Sequence, residues 1–134
     1  MIIAVDFDGT CVAHEYPEIG KSIGAESVLR NLVKSGNKII LYTMRGHKPY
    51  DGRDLLQEAV NWFIDNRIEL YGINENPDQK EWTDSPKPYA QMYIDDSALG
   101  CPKTFDEDTI RPYVDWKALD LWFKKTGLIN TIIL

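Results

Sequence analysis

Asp6 and Asp8 stand one residue apart near the start of the chain, in Met1-Ile-Ile-Ala-Val-Asp-Phe-Asp-Gly-Thr10. The apolar run Ile2 to Val5 before them reads as a short buried strand. Strand ends in open α/β sheets are where such proteins place their chemistry. Later apolar runs end in Thr43 and in the pair Asp95-Asp96, and Lys87 sits in Ser85-Pro-Lys-Pro88. A carboxylate can attack a phosphoryl group, but its charge repels the phosphate oxygens. A Mg²⁺ held by a few carboxylates and water relieves that repulsion. A lysine and a hydroxyl would hold the remaining phosphate oxygens. A second carboxylate two residues beyond the nucleophile can protonate the leaving oxygen and later activate water. This set points to Mg²⁺-dependent phosphoryl transfer at Asp6 and Asp8.

Elements able to bring these groups together follow from the spacing of apolar residues. Cys11 to Lys21 reads as a loop marked by Pro17 and Gly20. Ala25, Val28, Leu29 and Leu32 recur at helical spacing, with Ser22 as the expected N-cap and Gly36 as the C-terminal stop. Lys38 to Thr43 is a second strand, followed by the loop Met44 to Gly52. A helix from Asp54 has Asp54 and Gln57 in capping-box positions, with Leu55, Leu56, Ala59, Trp62 and Phe63 on its buried stripe. Ile68 to Ile73 is a third strand. Asn74 to Pro88 is a polar, proline-containing loop, long enough to be either functional or mobile. Tyr89 to Ile94 is a fourth strand, and a short apolar segment surrounds Ile110. A last helix begins near Asp115 and ends before Gly127, with charges that suit the helix dipole. Alternation of strands and helices gives an α/β fold: a three-layer α/β/α, Rossmann-like arrangement with a mostly parallel sheet. All strands then point one way, so Asp6, Asp8, Thr43, Asp95 and Asp96 emerge at one sheet edge.

With 134 residues, the chain is expected to form a single domain over 1–134. A composition of 43% hydrophobic and 27% charged residues is that of a globular protein and argues against disorder. No apolar run approaches the ~20 residues of a membrane span. The N-terminus lacks the basic flank of a signal peptide, so cytoplasmic residence is expected. Cys11 and Cys101 lack metal-ligand spacing and read as two reduced thiols. The net charge of −6 disfavours nucleic acid as a partner. The apolar tail Leu128 to Leu134 offers a homo-oligomer contact, although packing as an edge strand in its own core is the preferred reading.

Asp6-Phe-Asp8-Gly9-Thr10 resembles the first motif, D-x-D-G-T, of the haloacid dehalogenase-like (HAD) phosphatase superfamily. The strand ending in Thr43 resembles the second motif, Lys87 the third, and Asp95-Asp96 after Met92-Tyr-Ile94 the fourth. The resemblance spans residues 2 to 96 in order. It implies that Asp6 is the nucleophile, forming an aspartyl-phosphate, and that Asp8 is the general acid and base. It further implies that Mg²⁺ is bound by Asp6, the backbone carbonyl of Asp8, Asp95 and Asp96, and that Thr43 and Lys87 bind the phosphoryl group, with Lys87 also restraining Asp6. An acid at Asp8 favours a phosphatase over a dehalogenase. Neither intermotif stretch is long enough for a separate cap domain, so the type expected is capless and its site open.

Arg45, His47, Lys48 and Arg53 form a basic cluster directly after Thr43. Functionally it could read a second anionic group on the phosphorylated substrate, with Arg45 as the discriminating residue; a solvated loop is the competing reading. His14, Tyr16 and Trp82 are further candidates near the site. Two other functions compete with a phosphatase. A receiver-like phosphoacceptor module also gathers acids, a hydroxyl and a lysine at a sheet edge, but there the acidic pair follows the first strand. The other is a catalytically idle metal-binding domain.

Overall fold

The computed structural model describes residues 1–131. Strands β1 (Ile2–Val5), β2 (Lys38–Leu41), β3 (Gly72–Ile73) and β4 (Met92–Ile94) form one parallel sheet in the order β3-β2-β1-β4. Helices α1 (Ala25–Lys34), α2 (Leu55–Asp65) and α3 (Trp116–Thr126) complete an α/β fold with the first strand at the sheet's centre. The pairing β1–β2 aligns Ile2 with Lys38 and Val5 with Leu41, and β1–β4 aligns Val5 with Ile94. The three strands therefore end at the same level.

Alternation along β1 sorts its side chains by face. Ile3 and Val5, with Ile39, Leu41 and Ile94, meet Val28, Leu29 and Leu32 of α1, Leu56, Ala59 and Phe63 of α2, and Leu119 and Phe123 of α3 in the main core. Ala4 and Ile40 point to the opposite face, where Ala90, Tyr71 and Tyr93 pack on them. That second face is covered by residues 74–91, whose only regular element is a 3-10 turn at Gln79–Glu81. The third layer is thus irregular chain.

Two buried amides hold that covering segment in shape. Asn76 donates to the Tyr89 carbonyl at 3.0 Å and accepts from the Asp78 N–H at 3.0 Å. Gln79 donates to the carbonyls of Ser85 and Lys87 and accepts from the Tyr89 N–H. Such side-chain bonds replace the ladder bonds the loop backbone lacks. The expected loop Asn74 to Pro88 is irregular chain, mostly exposed, pinned by the buried Asn76 and Gln79.

Several boundaries differ from those read in the sequence. The third strand shrinks from 68–73 to Gly72–Ile73, because Ile68 donates its N–H to the Phe63 carbonyl and Arg67 takes φ 58°, winding the chain off α2. The N-cap of α1 is Gly24; Ser22 turns its hydroxyl to Glu26 instead. Asp54 and Asp115 cap α2 and α3 as expected, accepting from the N–H groups of Gln57 and Ala118. The Gln57 side chain reaches Asn61, so the reciprocal half of the capping box is not made. A small antiparallel pair, β5 (Lys103–Thr104) with β6 (Tyr113–Val114), was not expected, and Ile110 lies exposed between its strands. In the tail, Ile129 is buried against the main core and donates to the Phe123 carbonyl. The remainder of the expected tail strand, 132–134, lies outside the described residues. No helix among the described residues is long and apolar enough to cross a membrane.

Candidate metal and phosphate site

Backbone hydrogen bonds tie the ends of the central strands together. The Asp6 N–H donates to the Ile94 carbonyl at 3.0 Å, and the Tyr42 N–H donates to the Val5 carbonyl at 2.9 Å. Asn74, just past β3, donates its N–H to the Leu41 carbonyl, and its side-chain oxygen accepts from the Thr43 N–H at 2.8 Å. Asp6, Thr43 and Asp95 consequently leave the sheet side by side.

Carboxylate oxygens of Asp6, Asp95 and Asp96 all lie within 4.8 Å of one another. Thr10 organises this cluster from a buried position. Its hydroxyl lies 3.0 Å from Asp6 Oδ2 and 3.2 Å from Asp96 Oδ1, and accepts from the Asp96 N–H at 3.1 Å. His14 Nε2 sits 2.8 Å from Asp96 Oδ2. Gly9 makes room for that pair: a Cβ there would lie 1.9 Å from His14 Nε2 and 2.7 Å from Asp96 Oδ2. Its φ of 81° is also in the left-handed region that glycine tolerates. Thr10 and His14 therefore belong to the site's frame. Thr10 was visible in the D-x-D-G-T run, whereas the spacing of His14 carried no signal for Asp96.

Burial, with the acids around it, moves the Asp6 carboxyl up to about 8 from its ordinary 3.8. Burial is the main cause, followed by the charge of Asp95; a hydrogen bond shared with Asp96 adds to it, against donation from the Phe7 N–H and Thr10. A divalent cation would oppose that rise by stabilising the charged carboxylate, and three clustered carboxylates form a hard oxygen donor set of the kind Mg²⁺ and Ca²⁺ take. Cys11, beneath them, is a poor nucleophile: burial pushes its thiol well above the ordinary range, and its Sγ faces the Asp6 carbonyl. Neither cysteine forms a disulfide.

The Asp8 side chain pairs with Arg45 and is not one of the clustered carboxylates. Arg45 Nε and Nη2 donate to its two oxygens at 2.8 Å each. The guanidinium also donates to the carbonyls of Leu55 at 3.3 Å and Glu18 at 3.1 Å. It lies between the rings of Phe7 and Tyr16, 5.1 and 5.2 Å from their centroids. This corrects the expectation of Arg45 as a solvent-facing reader of substrate anions, for at 2% exposure its donors serve the chain itself. The other basic residues of that loop are largely engaged too. His47 pairs with Asp54, and Arg53 with Glu18 and Glu58; Lys48 has no carboxylate partner among the described residues.

Thr43 Oγ1 accepts from the Arg45 N–H at 3.1 Å, which leaves its hydroxyl proton for a ligand. Lys87 is exposed, and its Nζ rests over the Tyr93 ring, 5.1 Å from the centroid. No ion pair links it to Asp6 among the described residues, so the restraint expected on the nucleophile is not made in this state. A separate cavity of about 520 Å³, lined by Asn74, Gln79, Thr83 and Ser85, opens in the covering segment and includes none of the clustered carboxylates.

A solved structure of a conserved protein coded by a locus of Bacteroides thetaiotaomicron is similar to this chain, with 33% identity and a TM-score of 0.72. The match covers 94% of this chain and 91% of that one. The chain belongs to the family of that conserved Bacteroides protein. Its description names no activity. No protein-family model and no curated protein matches the chain. Kinship and fold rest on this relative; the chemistry must be argued from the residues.

Proposed function

We propose that the chain is a Mg²⁺-dependent phosphatase of the HAD type, hydrolysing a phosphate monoester through a covalent aspartyl-phosphate on Asp6. The observation that carries this reading is the meeting of Asp6, Asp95 and Asp96 within 4.8 Å at one sheet edge, in the motif order of that superfamily. Asp6, Asp95 and Asp96 would hold the ion, with the backbone carbonyl of Asp8. When bound, Mg²⁺ supplies charge neutralisation between the carboxylates and the phosphate oxygens. Asp6 attacks phosphorus, Thr43 donates its hydroxyl proton to a phosphate oxygen, and Thr10 holds Asp6 and Asp96 at fixed separation. Asp8, oriented by Arg45, is the proton-transfer group for the leaving oxygen and then for the attacking water. Lys87 would have to leave the Tyr93 ring to bind the phosphate. A receiver-like module fits less well, since the acidic pair here follows β4 and the D-x-D-G-T run follows β1.

The decisive experiment is hydrolysis of p-nitrophenyl phosphate and a broad panel of phosphate esters with and without Mg²⁺. Turnover that requires the metal and disappears with a chelator is expected. A panel with no turnover in excess Mg²⁺ would refute the proposal.

A further inference from the structure

Beyond the reaction itself, and resting on the phosphatase reading, we infer that the site selects monoesters whose leaving group carries a flat apolar ring and no second anion, read by Tyr16 and Tyr50. The leaving oxygen must approach Asp8, the proton-transfer group. Asp8 is held by Arg45, and the Tyr16 ring lies against the outer side of that guanidinium, 5.2 Å from its carbon. Tyr16 and Asp8 thus share one guanidinium, which puts the exposed ring beside the proton-transfer group. Tyr16 is 55% exposed and Tyr50 48% exposed, their centroids 6.3 Å apart in an edge arrangement at 64°. Aromatic rings prefer such edge contacts, and a flat ring on the leaving group can make the same kind of contact with either tyrosine.

Both tyrosines are presented by well-defined backbone. Tyr50 and Arg53 exchange two backbone hydrogen bonds of 2.9 Å across Asp51 and Gly52, whose φ values of 51° and 77° make a tight two-residue turn. Arg53 in turn donates to the Pro17 carbonyl and to Glu18, which fastens the Tyr16 segment to the same turn. A surface fixed in advance loses little freedom on binding.

The charges around the pair argue against a second phosphate or carboxylate on the substrate. Arg45 serves Asp8, Arg53 serves Glu18 and Glu58, and His47 serves Asp54. Among the described basic residues of that loop, Lys48 has no carboxylate partner, and it is a single exposed side chain. An anionic leaving group would meet cations already neutralised.

Benzyl phosphate and glycerol phosphate test this cleanly, because both release an alkoxide and differ in the ring. With Mg²⁺ present, kcat/KM for benzyl phosphate should exceed that for glycerol phosphate by about tenfold, the size of a good aromatic contact. Tyr50→Ala, which leaves the contact of Tyr16 with Arg45 in place, should collapse that ratio toward one, and Tyr16→Leu should do the same. A ratio near one in the parent protein, a ratio unmoved by Tyr50→Ala, or faster turnover of a hexose bisphosphate than of benzyl phosphate would overturn the ring preference while leaving the phosphatase intact. Absence of turnover of all three esters would overturn the ring preference, and the phosphatase reading falls with it only if the broad ester panel is silent too.

Discussion

Arg45 grips Asp8 through two parallel hydrogen bonds, Nε to Oδ2 and Nη2 to Oδ1, each 2.8 Å long. The arginine side chain is fully sealed at 0% exposure, while that of Asp8 keeps 18% of its surface. Dependence therefore runs mainly one way. Without Asp8 a buried cation has only the carbonyls of Leu55 and Glu18 to face. The pair fixes the orientation of the carboxylate and joins the segment after β1 to the start of α2.

Removing one partner of such a buried pair leaves an uncompensated charge, at a cost of about 3–5 kcal/mol. Asp8→Ala should therefore lower unfolding free energy in urea by about that amount, whereas Asp8→Asn, which keeps an acceptor for Arg45, should lose less. Both should turn over substrate roughly 10²-fold or more slowly than the parent, as for loss of proton transfer. If Asp8→Ala unfolded at the parent's urea midpoint, the pair would not be a fixture of the folded state.

Asp6, Thr43 and Asp95-Asp96 were legible because each follows an apolar run, and parallel strands carry every such end to one edge. Arg45 was not. Local pattern assigns an arginine in a polar loop to solvent, and only a partner 37 residues away reveals that it is buried. The contact of Lys87 with Tyr93 was not legible for the related reason that Tyr93 belongs to a strand whose facing could not be known from the loop. The segment 74–91 has no period to read, since its order comes from the individual amides of Asn76 and Gln79. The β5–β6 pair has two residues per strand, too few for alternation to register.

Metal and pH should be linked through Asp6. Its carboxyl keeps a proton up to about 8 in the folded chain, against an ordinary 3.8. Between those values the metal-free folded state binds more protons than the unfolded one, so this group's contribution to stability is complete below the lower value and lost as pH rises toward the upper. The Tm of metal-free protein should accordingly fall from pH 5 to pH 8, other groups being equal. Added Mg²⁺ should raise Tm, and raise it more at pH 8, where deprotonation frees the ligand. A Mg²⁺ response equal at both pH values would contradict a site built on Asp6.

Asp6→Asn separates charge from shape at the same position. The variant should stay folded, lose turnover completely, and lose the part of the metal-free pH dependence that Asp6 causes, because its amide does not titrate in this range. Thermal melts between pH 5 and pH 8 beside an activity assay check both consequences. Parent-level turnover would remove Asp6 as the nucleophile.

Gly9→Ala tests whether the acidic cluster needs its frame. The new methyl group would fall 1.9 Å from His14 Nε2 and 2.7 Å from Asp96 Oδ2, so both side chains must shift for it to fit. The backbone, at φ 81°, adds a left-handed strain of about 1–2 kcal/mol for any residue with a Cβ. Displacing His14 and Asp96 loosens one wall of the proposed metal site while Asp6 and Asp95 remain. A lower Tm combined with a weaker apparent Mg²⁺ affinity is expected. His14→Ala should reproduce the loss of Mg²⁺ affinity without the backbone strain, and hence with a smaller fall in Tm. If Gly9→Ala lowered Tm and left Mg²⁺ affinity at the parent value, the His14–Asp96 contact would be only a packing feature of the loop.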